Sequence, residues 1–237
     1  MRNQLRAAPR AMLAAWAALM LALAACDEAS DPALGPTTTL RVLHTAAGVS
    51  AVDVFVGGSA VIRNLGVGDV SFVSVTTGTR QVSVRPAGSS DAAPATAVTF
   101  IAGDSVTMLT MEAAGVLTPW ELSDTGAVVP ADKSKLRVVH AAAVTPNIDI
   151  WRTQPSFQTY SAIMFPFPYQ AESGYIQSDP GDWRILVSTE TRDGNGIPVL
   201  ADTLLETAPI TIPAGESRTV IVMNQPGGGL QAEVITP

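Results

Sequence analysis

From residue 39 onward the chain repeatedly alternates apolar and polar positions with a period of two. Val52, Val54 and Val56 are separated by Asp53 and Phe55, and Val82 and Val84 are separated by Ser83 and flanked by Gln81 and Arg85. That spacing puts the valines on one face of a strand and the intervening residues on the other. Thr77-Gly78 and Pro180-Gly181 mark turns ahead of strands, and Ala102-Gly103-Asp104 and Ala214-Gly215-Glu216 mark hairpin turns. The pattern predicts about seven short strands in each half of the chain and no helix after residue 26. Closely spaced short strands with turn signals imply antiparallel sandwiches.

The strands recur in order. Leu40-Arg41-Val42-Leu43-His44 matches Leu136-Arg137-Val138-Val139-His140. Nine residues after each histidine comes an acidic strand residue, Asp53 in Val52–Phe55 and Asp149 in Ile148–Trp151. Gly78–Val84 aligns with Gly181–Val187, and Val98–Ser105 aligns with Ile210–Ser217. The offset grows from 96 to 103 to 112, so the second copy carries insertions. Two copies are too few for a solenoid. The copies occupy 39–129 and 135–237, with Pro130–Ser134 as a short polar linker.

The segments Leu40–Gly58 and Gly68–Ser89 resemble a bacterial family, the domain of unknown function 4397. Its members carry "RVVHASP", then "VDVYVDG", then "AGTYTVQVRPAG". The resemblance is closest over residues 39 to 129 and weaker over 135 to 237, where Leu136–Trp151 carries it. It implies an all-β chain of two tandem immunoglobulin-like antiparallel β-sandwich domains. The family lends no activity and no site.

The N-terminus is built differently. Arg2, Arg6 and Arg10 precede an apolar run from Ala11 to Ala25, and Cys26 is the one cysteine. A basic start, an apolar core and small residues before the break are the layout of a secretory signal peptide, here residues 1–25. The break lies between Ala25 and Cys26, and a cysteine at this point resembles the lipobox of bacterial lipoproteins. The expectation is an exported protein held at the cell envelope by a lipid on Cys26. Plain secretion and an uncleaved helix are the alternatives. The run is short of the about 20 residues a spanning helix needs. Asp27 resembles an inner-membrane retention signal. The lipidated N-terminus and tether would occupy residues 26–38; Asp27–Thr39, at about 3.3 Å per residue, could reach about 43 Å.

Loss of the three signal arginines from 14 basic residues leaves 11 against 21 acidic ones, a formal charge of −10. Phosphate neutralisation dominates nucleic-acid affinity, so no nucleic-acid partner is expected. The expected partners are the membrane, through the lipid, and an envelope protein or a glycan.

His44 and His140 are the only histidines. With Asp53 and Asp149 they are candidates for metal ligation or acid–base pairs. A zinc site needs three or four ligands, and each copy offers one histidine. No G-x-S-x-G or H-E-x-x-H occurs. The economical expectation is structural: each histidine ends a strand and binds backbone in the next loop, while Asp53 and Asp149 lie on a non-core face in ion pairs with arginines such as Arg41 and Arg137. No catalytic residue, metal or cofactor is expected. The insertion in the second copy holds Phe157, Tyr160, Phe165, Phe167 and Tyr169. Tyr160, Phe165, Phe167 and Tyr169 form the candidate binding patch, against the alternative that they cover the second copy's core or the contact between the two copies. Asp193-Gly194-Asn195-Gly196 lacks the spaced ligands of a calcium loop, and Gly227–Gly229 lacks the context of a phosphate loop. The leading functional expectation is a non-catalytic binding or spacer module; an envelope hydrolase or a carbohydrate-binding protein is the alternative.

Overall fold

The structure is a computed structural model, and it describes residues 35–124, 128–145, 147–157 and 159–237. The signal peptide, Cys26 and residues 27–34 of the tether therefore lie outside the described residues, while Thr37 and Thr38 begin the first strand. Among the described residues there is no helix, and so none long and apolar enough to cross a membrane.

The first copy supplies β1 (Thr37–His44), β2 (Ala51–Val56), β3 (Ser59–Gly66), β4 (Val70–Thr76), β5 (Gly78–Pro86), β6 (Ala95–Phe100), β7 (Ser105–Ala113) and β8 (Val116–Leu122). The second supplies β9 (Ser134–Ala141), β10 (Asn147–Thr153), β11 (Ser161–Pro168), β12 (Ile176–Ser178), β13 (Gly181–Thr189), β14 (Thr203–Glu206), β15 (Ile210–Ile212), β16 (Ser217–Asn224) and β17 (Leu230–Ile235). The ninth strand of the second copy has a local cause. In the first copy β6 pairs with β5 without interruption. In the second, β14 and β15 share the partner β13 and are separated by Thr207-Ala208-Pro209. Proline has no N–H to give the ladder, so the edge breaks there.

Both copies use one topology. The first copy's sheets run β4-β1-β7-β8 and β3-β2-β5-β6, and the second's run β12-β9-β16-β17 and β11-β10-β13-β14. The central pairs β1–β7 and β9–β16 are parallel, and the other neighbours are antiparallel. Within each copy the valine-rich faces meet. One buried cluster joins Leu40 and Val42 to Val52, Val54, Val82 and Val84. Another joins Leu136 and Val138 to Ile148, Ile150, Ile185 and Val187.

A third cluster lies on the opposite faces of the β1 and β9 sheets. Leu43, Leu109, Met111 and Leu122 pack with Val139, Ala141, Ile221, Met223 and Ile235. The four sheets are therefore stacked, with the β1 and β9 sheets back to back in the middle. Residues Pro36–Pro237 form one compact unit. Burying a Leu, Ile or Met side chain contributes about 1.5–3 kcal/mol relative to exposure, so this seam is comparable to a small core.

Candidate functional site

His44 is the last residue of β1, and His140 is the next-to-last of β9. Both are without exposure. Nε2 of His44 lies 2.8 Å from the Val49 carbonyl, and Nε2 of His140 lies 2.8 Å from the Thr145 carbonyl. A carbonyl only accepts, so each Nε2 carries the proton and donates it. Nδ1 is then left as the acceptor. In His140 it receives the Ala142 N–H at 3.2 Å; in His44 it faces the Thr110 hydroxyl at 2.7 Å and the Ala46 N–H at 3.4 Å. Each imidazole therefore fastens the loop that leads into the next strand. Neither ring nitrogen has a lone pair free for a metal, and neither meets a carboxylate. Among the described residues no group of three or more His, Cys, Asp or Glu could hold a metal ion. Burial lowers both imidazole pKa values, that of His140 to about 4, against the opposing pull of the bonded carbonyl.

The aspartates were expected on a non-core face in ion pairs with arginines; they are buried, Asp53 at 4% exposure and Asp149 at 0%, and their arginine partners are Arg63 and Arg192. The reason is a bulge opposite each. The β2–β3 register jumps between Val52 and Val54, which leaves Arg63 and Asn64 outside the ladder. Asp53 accepts the orphaned Asn64 N–H at 2.8 Å and the Gly88 N–H at 3.1 Å, with the Arg63 guanidinium 3.6 Å away. Asn64 has φ 53°, which an asparagine tolerates. The bond to Asn64 leads in holding the Asp53 carboxyl below its ordinary pKa, while burial works the other way. In the second copy the same jump leaves out Phe165 and Pro166. Pro166 stands where Asn64 does and has no N–H. Asp149 takes the two arms of Arg192 instead, at 2.6 and 3.1 Å. Arg192 belongs to the β13–β14 excursion, an insertion of the second copy.

Arg41 and Arg137 do not pair with these aspartates. They cross the third cluster in opposite directions. Arg41 holds the Thr107 hydroxyl and donates to the Thr236 carbonyl. Arg137, 1% exposed, holds the equivalent Thr219 hydroxyl and donates to the Ser123 carbonyl. It adds Asp124 at 2.7 Å, Glu172 at 3.3 Å and the ring of Tyr175 at 4.5 Å. The Arg41 and Arg137 contacts are reciprocal, as two copies related by a two-fold rotation require.

The aromatic insertion divides in three. Phe167 has no exposure and belongs to the second cluster, stacked 5.9 Å from His140, so it is unavailable to a ligand. The bulge at Phe165-Pro166 turns it inward. Tyr169 is also removed from the patch: its hydroxyl donates to the Glu112 carbonyl at 2.8 Å and accepts the Glu112 N–H at 3.2 Å, across the seam. Tyr160 and Phe165 stay exposed, at 41% and 47%, as does Phe157 at 57%. Arg192 lies 5.7 Å over the Phe165 ring. Beside Tyr169 the loops after His44 and His140 border a cleft of about 660 Å³, lined by Ala46, Gly48, Glu112, Ala143 and Asn224.

Asp193 spends one carboxylate oxygen on its own loop, accepting from the N–H groups of Asn195 and Ile197, both at 2.9 Å. Gly227–Gly229 closes a turn into β17 through the Gln225 N–H and Gly229 carbonyl. The sequence motifs did not single out Arg192, Tyr175 or Glu172. Their only signal was the length of the insertions.

Residues 38–151 match the family described as "Domain of unknown function (DUF4397)". The match covers the first copy and continues through β9 into β10. No curated protein matches the chain. Among solved structures, the TIE protein of Bacillus anthracis is 11% identical over 79% of this chain and 34% of its own, with a TM-score of 0.26. The chain thus spans about a third of that protein. The tip fimbrial protein Mfa3 of Porphyromonas gingivalis is 12% identical over 85% of this chain and 100% of its own, with a TM-score of 0.25. A family CBM26 module of Eubacterium rectale Amy13K, in complex with maltoheptaose, is 11% identical over 85% and 97%, with a TM-score of 0.23. Likeness at this level says nothing about function.

Two outcomes follow from this geometry. The folded state excludes the His140 proton between pH 6.5 and about 4, while the unfolded chain takes it up. Stability contributed by the neutral imidazoles is complete above pH 6.5 and falls as pH drops towards 4; a His44→Gln, His140→Gln chain has a flatter melting-temperature profile across that window. Arg192→Met leaves the buried Asp149 without its bidentate partner and lowers the unfolding free energy. Chemical denaturation measures this loss; an unchanged midpoint would contradict the assigned pairing.

Proposed function

We propose that the protein is a non-catalytic lipoprotein of the bacterial cell envelope, anchored through Cys26, whose two joined copies act as a stiff binding or spacing module. The observation that carries this reading is where the repeated polar groups are used. His44, His140, Asp53 and Asp149 all bind the fold itself, and Arg41 and Arg137 hold the seam. A hydrolase needs a nucleophile, a base and a place between them for a reacting atom. The imidazoles give no support to that alternative, because each proton points at a carbonyl 2.8 Å away. The surface side of the reading rests on Phe157, Tyr160 and Phe165, which stay exposed. Rings of this kind suit a protein or glycan face.

The anchor rests on the signal-like N-terminus and the cysteine that ends it. A diacylglyceryl group supplies two acyl chains, each buried methylene contributing about 0.8 kcal/mol, which makes a durable membrane attachment.

Expressed in a Gram-negative host, the wild-type chain is expected in the membrane fraction, beginning at Cys26 and heavier by a diacylglyceryl group. Cys26→Ser is expected in the soluble exported fraction with an unchanged melting temperature. An unmodified chain with an intact N-terminus, seen by mass spectrometry, would overturn the anchor.

A further inference from the structure

The two copies carry a cavity at the same end of the sheet pair, and they line it with different chemistry. In the first copy the cavity holds about 340 Å³ between Val56, Ser74, Val75, Thr76 and Arg80. In the second it holds about 320 Å³ between Lys133, Arg152, Gln177, Ser178, Asp179 and Trp183. Strand register makes the positions equivalent. Thr38 pairs with Val75 and the matching Ser134 pairs with Ser178. Val56 pairs with Val82, and the matching Arg152 pairs with Ile185. Along β5 and β13 the 103-residue offset sets Trp183 at the place of Arg80.

The first copy is an internal control. It closes this end with Val56 and Val75, both members of its buried cluster. Its own arginine, Arg80, lies exposed at the rim and donates to the Thr76 hydroxyl and the Thr77 carbonyl, so the fold does not need a half-buried charge here. In the second copy those two valines are replaced by Arg152 and Ser178. The Arg152 guanidinium is half-buried, donates to the Ser178 hydroxyl, and lies 4.5 Å over the Trp183 ring. No carboxylate among the described residues lies within ion-pair distance of it. The Trp183 N–H donates to the Asp179 carbonyl at 3.1 Å, which fixes the ring. Lys133 and Asp179 pair at 2.9 Å and cancel one another, so Arg152 sets the net charge of the cavity. A partly desolvated cation without a counter-ion costs stability relative to valine. Such a cost is retained where an anion relieves it.

We propose that this cavity of the second copy binds a carboxylate. The fork of Arg152 takes both oxygens, and Gln177 and Ser178 supply polar edges for the rest of the ligand. The volume suits one sugar- or amino-acid-sized body. The site does not depend on the membrane anchor or on the exposed aromatic residues.

The test follows the indole N–H of Trp183, assigned with Trp183→Phe, in NMR titrations of the full chain with sodium acetate, sodium glucuronate and glucose at constant ionic strength. Acetate and glucuronate are expected to shift the signal, and glucose is not. Glucuronate at least tenfold tighter than acetate assigns the carboxylate to an acidic sugar; equal affinity assigns the site to a carboxylate alone. Arg152→Val, which installs the first copy's residue, is expected to weaken binding at least tenfold and to raise the melting temperature without ligand. Arg152→Gln is expected to lose binding in the same way. No shift with either anion, a glucose response equal to that of glucuronate, or full binding by Arg152→Gln would overturn the proposal.

Discussion

Val42 and Leu43 are consecutive residues of one strand, point to opposite faces, and are both without exposure. The same is true of Val138 and Val139 in the second copy, and of Val220 and Ile221 beside them. A sheet with two dry faces must be covered on both. The β1 and β9 sheets meet this need by covering each other, while their inner faces meet the β2 and β10 sheets. Everything outside the two inner cores is arranged around that constraint. Arg41 and Arg137 sit on the covered faces, where a charge would be costly, and each reaches across to the other copy's last strand or the residues after it. The two positions differ in what they find there. Arg137 and Arg41 find equivalent carbonyls, of Ser123 and Thr236, but Arg137 also meets Asp124, whose equivalent position is Pro237, a residue without a carboxylate side chain.

Duplication followed by divergence explains the rest of the polar interior. A bulge opposite Asp53 frees an N–H, and the aspartate accepts it. When the matching bulge contains Pro166, the aspartate needs another donor, and the inserted β13–β14 excursion brings Arg192. The insertion thus carries structure as well as surface. The imidazoles show the opposite behaviour: both copies keep the same loop-fastening bond, with a carbonyl five residues on.

Much of the fold was legible in the sequence. The alternating valines, the turn glycines and the four matched blocks identify an all-β duplicated chain. Gly103 and Gly215 occupy equivalent turns with φ of 83° and 79°, a conformation that glycine adopts without strain. A contact between the copies was an open alternative for the aromatic insertion, but the strands that make the seam were not legible. Their signal lies in runs such as Val106–Met111 and Thr219–Met223, which are buried throughout and do not alternate. Alternation reveals one wet face, and a doubly covered strand has none to reveal. The aromatic insertion failed for another reason. Phe165 and Phe167 are two residues apart and would share a face in a regular strand. The bulge between them sends one outward and the other into the core, and a bulge leaves no spacing that sequence alone displays.

The central claim is that the seam makes the two copies one mechanical body, so damage on one side must be felt on the other. Native-state hydrogen exchange of Ile221→Ala tests it most directly. The account predicts that the amides of β1 and β7 lose protection together with those of β9 and β16, by about 2–5 kcal/mol in both copies. Loss confined to β9 through β17, with the first copy at wild-type protection, would contradict it.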